Sequence, residues 1–302
     1  NPASGWAYNS NNWPWTTSGP SSPKRENFPK YVESGGENAR GLHAVRILSN
    51  RKDFTRDGLL AAAWDSYQPG FEKIIPDVVK AYDAAPASDL KAKLSGPVEL
   101  LRGWDLRWSV SSVPTSLAVF YADELGRALR PRGGRGAAAD APVNPADTSA
   151  SRATDSLRLA VLNKAVDKLM ADFGKWQTPW GDINRFQRVN DQIVATFDDN
   201  APSIPVMFTS ARWGSLASFG ARQYENTKKW YGTSGNSFLA IIEFGKDSVR
   251  ARAVTAGGES GDPASKHFND QAERYATGNF RTVYYYRNQL KGHTEREYHP
   301  GQ

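Results

Sequence analysis

The chain contains no cysteine among its 302 residues. That excludes disulfides, cysteine-ligated zinc, iron–sulfur clusters and thiol nucleophiles together, and it leaves the compartment open. No stretch approaches 18 uninterrupted apolar residues, so no membrane span is expected. The opening NPASGWAYNSNNWPW has neither the basic start nor the apolar run of an export signal, and none is expected within the chain. Charge of one sign is also scarce: 38 Lys and Arg stand against 32 Asp and Glu, a net +6, with no run of four basic residues. The balance describes a solvated surface with a modest positive bias and no nucleic-acid footprint. Histidine is rare as well. His43, His267, His293 and His299 show neither H-E-x-x-H nor another metal-ligand spacing, and each is read as structural or solvated.

Catalytic motifs are equally thin. Gly258-Glu259-Ser260-Gly261 falls one residue short of a G-x-S-x-G elbow, so Ser260 is read as a turn residue after a strand. No P-loop exists, and the Gly-rich Arg132 to Gly136 follows no strand. The acidic pairs Asp198 with Asp199 and Glu72 with Asp77 have nothing to distinguish them from a solvated face.

What is present is ordinary globular material. Hydrophobic residues make up 39% of the chain, about 44% once glycine replaces tyrosine in the tally, close to the 45–50% of soluble proteins. Disorder of the whole chain is thereby excluded. The first 36 residues carry Trp6, Trp13 and Trp15 with Pro14, Pro20, Pro23 and Pro29 among Ser, Asn and Gly. This is turn and extended-loop chemistry, and its aromatics need a core to pack on.

From Glu37 the periodicity becomes helical. Asn38 to Asn50 holds Leu42, Val45, Ile47 and Leu48; Thr55 can cap a second run through Trp64; a third covers Phe71 to Tyr82. Ser88 to Leu94 reads as a short helix and Pro114 opens another to Leu129. Asp155 or Ser156 caps the best helix, in which Leu162, Val166, Leu169 and Phe173 form one stripe. Between them, Arg130 to Thr154 is low in complexity and is read as a surface excursion rather than a linker. After about Pro202 the pattern turns to strands: Ser237 to Phe244, then Ser248 to Thr255 across a turn at Gly245 to Asp247, and finally Phe280 to Tyr286. Helices first and an antiparallel sheet last give an α+β fold.

Two separated blocks add a resemblance. Asn1-Pro2-Ala3-Ser4-Gly5-Trp6 with Asn9-Ser10-Asn11-Asn12, then Gly36-Glu37-Asn38-Ala39-Arg40 with Arg46-Ile47-Leu48, and about 200 residues on Gly257 to Ser265 with His267 to Gln271, resemble, in order, the β chain of the penicillin acylase family. That family includes acylases of β-lactams and of acyl-homoserine lactones. The resemblance implies an αββα sandwich and an amide hydrolase whose N-terminal serine attacks the carbonyl with its own α-amine as base.

By motif position, Asn11 matches the asparagine that donates to the oxyanion. Arg40, in R-x5-R-x-L with Arg46, matches an arginine that orders the active site. The resemblance further implies that the chain is one C-terminal portion of an acylase β chain. Its parts would be an active-site loop over residues 1–36, a mainly helical stretch over 37–201 and a mainly antiparallel stretch over 202–302. The catalytic serine is then expected in the upstream part of the β chain, which with the α chain would be the partner; the substrate would be a small acyl amide, with no nucleic acid and no membrane. No cofactor is implied. Some members place an aspartate where this sequence has Val32, so calcium, possible in a complete enzyme, has no ligand supported here. Export to the periplasm or outside the cell is the family habit. A rival from another class is a non-catalytic, Trp-rich basic module holding a glycan or anionic polymer. Exposed Trp6, Trp13 and Trp15 would fit the rival, and buried ones the acylase loop.

Overall fold

The structure is a computed structural model that describes residues 2–32, 35–49, 51–129, 153–190, 195–299 and 301. The low-complexity excursion lies outside the described residues except for Ala153 and Thr154. Eight α-helices occur among those described. The first two, α1 (Ala39–Leu48) and α2 (Arg56–Ala63), begin where capping side chains are available: Asn38 Oδ1 accepts from Gly41 N at 2.9 Å and Thr55 Oγ1 from Gly58 N at 3.0 Å. Next come α3 (Ile74–Ala84), α4 (Asp89–Arg102), α5 (Val113–Ala128) and α6 (Asp155–Phe173). Pro114 lies in the first turn of α5, where its missing N–H is harmless.

Two boundaries differ from the sequence expectation. The cap of α6 is Thr154, one residue earlier than expected, because its Oγ1 reaches Leu157 N at 3.2 Å. The α4 helix continues eight residues past Leu94, straight through Ser95, Gly96 and Pro97. Tertiary burial overrides the proline there: Leu94, Val98 and Leu101 are at most 1% exposed.

The α3 helix packs on α4 and α6, and α5 on α6. Their buried faces form one core that includes Val78, Leu117, Phe120, Leu162 and Leu169. The expected stripe on α6 is confirmed at Leu162, Val166 and Leu169, with Phe173 partly buried against it. Aromatic stacking ties this bundle to the rest, since Phe120 lies 4.8 Å from Trp230 and Phe71 4.6 Å from Trp213, centroid to centroid.

After the short α7 (Trp180–Ile183) the strands begin at Asn184, earlier than the expected start near Pro202. A four-stranded sheet has the order β2-β1-β4-β3, from β1 (Asn184–Phe186), β2 (Ile204–Pro205), β3 (Phe219–Gln223) and β4 (Trp230–Gly235). Its β1–β4 pair is parallel and the other two antiparallel. The second sheet is wholly antiparallel, β5 (Phe238–Phe244), β6 (Val249–Thr255) and β7 (Arg281–Val283) in that order. The expected hairpin is present, closed by Gly245 N to Ser248 O at 2.8 Å.

The final strand is shorter than Phe280 to Tyr286: Tyr284 leaves the ladder to stack on His293 at 4.4 Å, and Tyr286 Oη accepts from Val249 N at 2.7 Å. A short α8 (Ala272–Thr277) contributes Ala272, Tyr275 and Ala276 to a second core with Phe186, Phe208 and Phe219. The fold is therefore α+β, helical first and mainly antiparallel afterwards.

Leu162 is fully buried in α6 and Met170 is 45% exposed on the same helix. Leu162→Ala is expected to lower stability by about 2–5 kcal/mol. Met170→Ala should stay within roughly 0.5 kcal/mol of the parent. Urea unfolding of the two variants, read by far-UV circular dichroism, measures the difference.

Candidate functional site

The segment before α1 is a closed loop. Tyr8 N donates to Thr17 O at 2.9 Å and Thr17 Oγ1 donates back to Tyr8 O, which pinches the chain at residues 8 and 17. Single-turn 3₁₀ segments at Pro14–Thr16, Gly19–Ser21 and Arg25–Asn27 follow the proline-rich spelling. Trp6, Trp13 and Trp15 are each half-buried. Trp6 stacks on Tyr8 and Trp15 leans on Phe28, while the indole nitrogens of Trp13 and Trp15 are shielded from solvent.

Asn11 sits in this loop with φ +58°, the left-handed region that asparagine tolerates better than most residues. Its N–H donates to Asn9 Oδ1 at 3.0 Å. Its side chain is oriented by Arg40, whose Nη2 donates to Asn11 Oδ1 at 2.9 Å and to Ser10 O at 2.7 Å. A guanidinium has hydrogens to give and no lone pair to receive, so the amide oxygen must face it and the Nδ2 hydrogens face away. Among the described residues no group accepts from Nδ2, and Asn11 is exposed. The structure thus brings together the two residues that motif position singled out, through a direct bond.

Two further residues at the start of α1 hold the loop. Asn38 caps the helix through Oδ1 and with its Nδ2 donates to Ser10 O at 2.9 Å. Glu37 accepts from Tyr8 Oη at 2.8 Å, from Asn12 Nδ2 at 2.9 Å and from the Thr16 hydroxyl. Burial alone would raise the Glu37 carboxyl, but hydrogen bonds from Thr16, Asn12, Tyr8 and the Asn38 backbone outweigh it and hold it below its ordinary value. The sign follows directly: its stabilisation is complete above about pH 4.3, the unfolded value, and is lost as the pH falls through the lower folded value. Burial pushes the Tyr8 hydroxyl up, and proximity to Glu37 adds to that. Burial also pulls the Arg40 guanidinium below its ordinary value.

On its other side α1 is anchored by His43, fully buried, with Nδ1 2.7 Å from Gly214 O and Nε2 3.0 Å from Asp65 Oδ1. Burial raises the Asp65 carboxyl, yet bonds from Tyr67 N, His43 and Arg107 bring it below its ordinary value. A cleft of about 280 Å³ opens between α1 and α2, where Asn9 and Arg40 share the wall with Ile47, Leu48, Leu59 and Leu216.

The second resembling block forms a separate loop after β6. Gln271 N donates to Gly257 O at 2.7 Å and Ser260 N to His267 O at 3.0 Å. Ser260 Oγ accepts from Asp262 N at 3.1 Å, a turn role as expected. In the sequence Glu37 and Asn38 stand within a resembling block and at the start of a helical run, and Tyr8 and Thr16 carry no motif. The available signal was local: Asn38 three residues before Gly41 is a cap spelling, and an acidic residue beside that cap faces the loop.

Comparisons with known proteins agree with the motif blocks. A family model described as penicillin amidase matches residues 1–292. The acyl-homoserine lactone acylase PvdQ of Pseudomonas savastanoi pv. phaseolicola is 24% identical over 300 residues, covering 95% of this chain and 36% of that protein. The PvdQ of Pseudomonas syringae pv. tomato is 24% identical over 292 residues, covering 93% and 35%. The chain therefore spans little more than a third of the length of these curated relatives. Among solved structures, a thermostable penicillin G acylase from Alcaligenes faecalis aligns with 99% of this chain and 57% of its own, at 14% identity and a TM-score of 0.49. With the family model matched from residue 1 to residue 292 of 302, the chain belongs to the penicillin amidase family.

Proposed function

We propose that this chain is the part of an acylase that supplies the oxyanion amide, Asn11 Nδ2, and the arginine that aims it. The nucleophile in this reading is an N-terminal serine contributed by the rest of the acylase polypeptide. Its Oγ attacks the carbonyl carbon of an acyl amide, giving its proton to the serine α-amine; that proton passes to the leaving amine as the C–N bond breaks. Water then attacks the acyl ester by the same route and releases the acid. The oxyanion formed in each step needs a donor that is already in position and carries no proton the reaction can remove. An amide whose oxygen is occupied by a guanidinium meets that requirement, and the Arg40–Asn11 bond is the observation that carries the proposal.

The substrate class follows from the same reading: an acyl group on an amine such as a β-lactam nucleus or, as in the names of the matched relatives, a homoserine lactone. The apolar side of the cleft beside Arg40 supports an acyl chain of some length. Location in the periplasm or outside the cell belongs to this reading, and no helix among the described residues is long and apolar enough to cross a membrane. The rival reading, a tryptophan-based polymer binder, needs rings free to stack on a ligand, whereas Trp6 packs on Tyr8, Trp15 packs on Phe28, and Trp13 is half-buried with its ring nitrogen shielded.

A partner polypeptide has a surface to meet. Phe238, Ile242 and Phe244 lie on one face of β5 and are 62%, 51% and 79% exposed, and β5 is an edge strand of its sheet. Such a face and edge invite a covering chain, here the rest of the acylase.

Two outcomes are expected. In the complete acylase, Asn11→Ala should lower kcat by roughly 10²–10³, about 2.7–4 kcal/mol, with KM nearly unchanged. Asn9→Ala, which removes only the bond to the Asn11 N–H, should lower it less. A rise in KM at constant kcat would assign Asn11 to uniform substrate binding instead. Separately, the isolated chain should bind a hydrophobic dye such as ANS, and Ile242→Ser with Phe244→Ser should reduce both dye binding and association with the upstream polypeptide. Unchanged association would move the contact off this face.

A further inference from the structure

One carboxylate at the start of α1 is ringed by neutral donors from the loop and the helix cap. Glu37 presents two oxygens with about four lone-pair positions, and all four are taken. Oε1 accepts from Asn12 Nδ2 and from Asn38 N, each at 2.9 Å; Oε2 accepts from Tyr8 Oη at 2.8 Å and from the Thr16 hydroxyl. No position remains for a proton of its own.

The donors have a particular distribution. Tyr8 and Thr16 lie near the two ends of the pinched loop, Asn12 directly follows Asn11, and Asn38 is the cap of α1. The carboxylate therefore stands between the loop and the helix, with a bond on each side of Asn11. Tyr8 is the titratable group that touches it, and that hydroxyl stays protonated because burial and Glu37 itself both oppose its ionisation.

A second observation concerns Gly41, one helical turn on. A Cβ built there would stand 1.9 Å from Glu37 Oε1 and 2.3 Å from Cδ. The carboxylate folds back over the first turn of α1 into the space that glycine leaves open. Nothing in the backbone of α1 demands glycine at 41, which is the third residue of an ordinary helix; alanine would favour the helix. The absence of a side chain serves the carboxylate.

We infer that Glu37, seated over Gly41, is the positioning residue for the oxyanion amide: as a four-acceptor carboxylate it fixes the 8–17 loop on α1 and so sets where Asn11 Nδ2 points. The inference rests on the reading of Asn11 given above. Glu37 touches no reacting atom in it, and its whole effect passes through Asn11. Arg40 fixes which end of the amide faces the substrate, and Glu37 fixes where the amide stands.

The test uses the complete acylase with Glu37→Gln, Gly41→Ala, Asn11→Ala and the double variant Glu37→Gln with Asn11→Ala. Glutamine keeps the size but turns one oxygen into a donor, so two of the four donors lose their acceptor. Glu37→Gln should lower kcat by roughly 10–100-fold, the loss expected when a reacting group is misplaced by about an ångström, with KM within about twofold. Gly41→Ala should lower kcat in the same way while its far-UV circular dichroism and cooperative melting are retained, which separates displacement of the carboxylate from loss of the fold. In the Asn11→Ala background Glu37→Gln should have no further effect on kcat. An equal loss from Glu37→Gln with and without Asn11 would make Glu37 a general support and overturn the inference, as would a parental kcat in Gly41→Ala. A parental kcat in Asn11→Ala would overturn the oxyanion reading itself, an outcome distinct from both.

Discussion

The structure of the candidate site depends on one constraint, that the first turn of α1 and the loop of residues 8–17 complete each other's hydrogen bonds. A helix start leaves N–H groups without partners, and a tight loop leaves carbonyls without them. Asn38 serves both, accepting from Gly41 N and donating to Ser10 O. Arg40 adds a second donor to the same carbonyl and reaches Asn11, while Glu37 gathers the hydroxyls and the amide of the loop. Ser10 is buried as a result, one residue from an exposed asparagine. A left-handed residue at the surface is thus held by polar bonds to Asn9 and Arg40.

That arrangement is only as fixed as the helix that carries it, and α1 is fixed from behind. His43 joins it to Gly214 O and to Asp65, and Asp65 is shared with Arg107, which is bridged to Tyr67 in the segment before α5. Buried polar groups with both partners present confine a contact to one geometry more sharply than apolar packing does. The cleft beside Arg40 has the same neighbours, with walls from α1, α2, the loop at residues 8–10, Leu216 and Asn236.

Much of this was legible in the sequence, though for different reasons. The helix starts follow from periodicity and from the cap at Thr55; Asn38 and Ser88 prove to be caps as well, each acting within three residues of itself. Asn11 and Arg40 were found by family resemblance alone; nothing in their local chemistry marks them, and the bond between them spans 29 residues. Glu37 is harder to single out, because its side-chain donors are spread over Tyr8, Asn12 and Thr16, none of which is unusual in a loop.

The errors of element length have tertiary causes. Pro97 sits inside α4 because the face around it is buried, and Tyr284 to Tyr286 leave β7 because their rings find His293 and the start of β6. The parallel pairing of β1 with β4 has no counterpart in the alternation of either strand, since alternation reports a face and not a direction.

The bonds that shape the loop and those that anchor its helix lie at very different distances along the chain. The grip on the loop joins residues 21 to 30 apart, whereas His43 meets Gly214 across 171 residues. Short closures form faster than long ones, and a chain leaves the ribosome from its N-terminal end. During synthesis, then, residues 8–17 and the first turn of α1 can find one another while the segment that will hold His43 does not yet exist. The site is assembled early as a local knot of polar bonds and acquires its bearing relative to the rest of the protein only when the last third of the chain arrives.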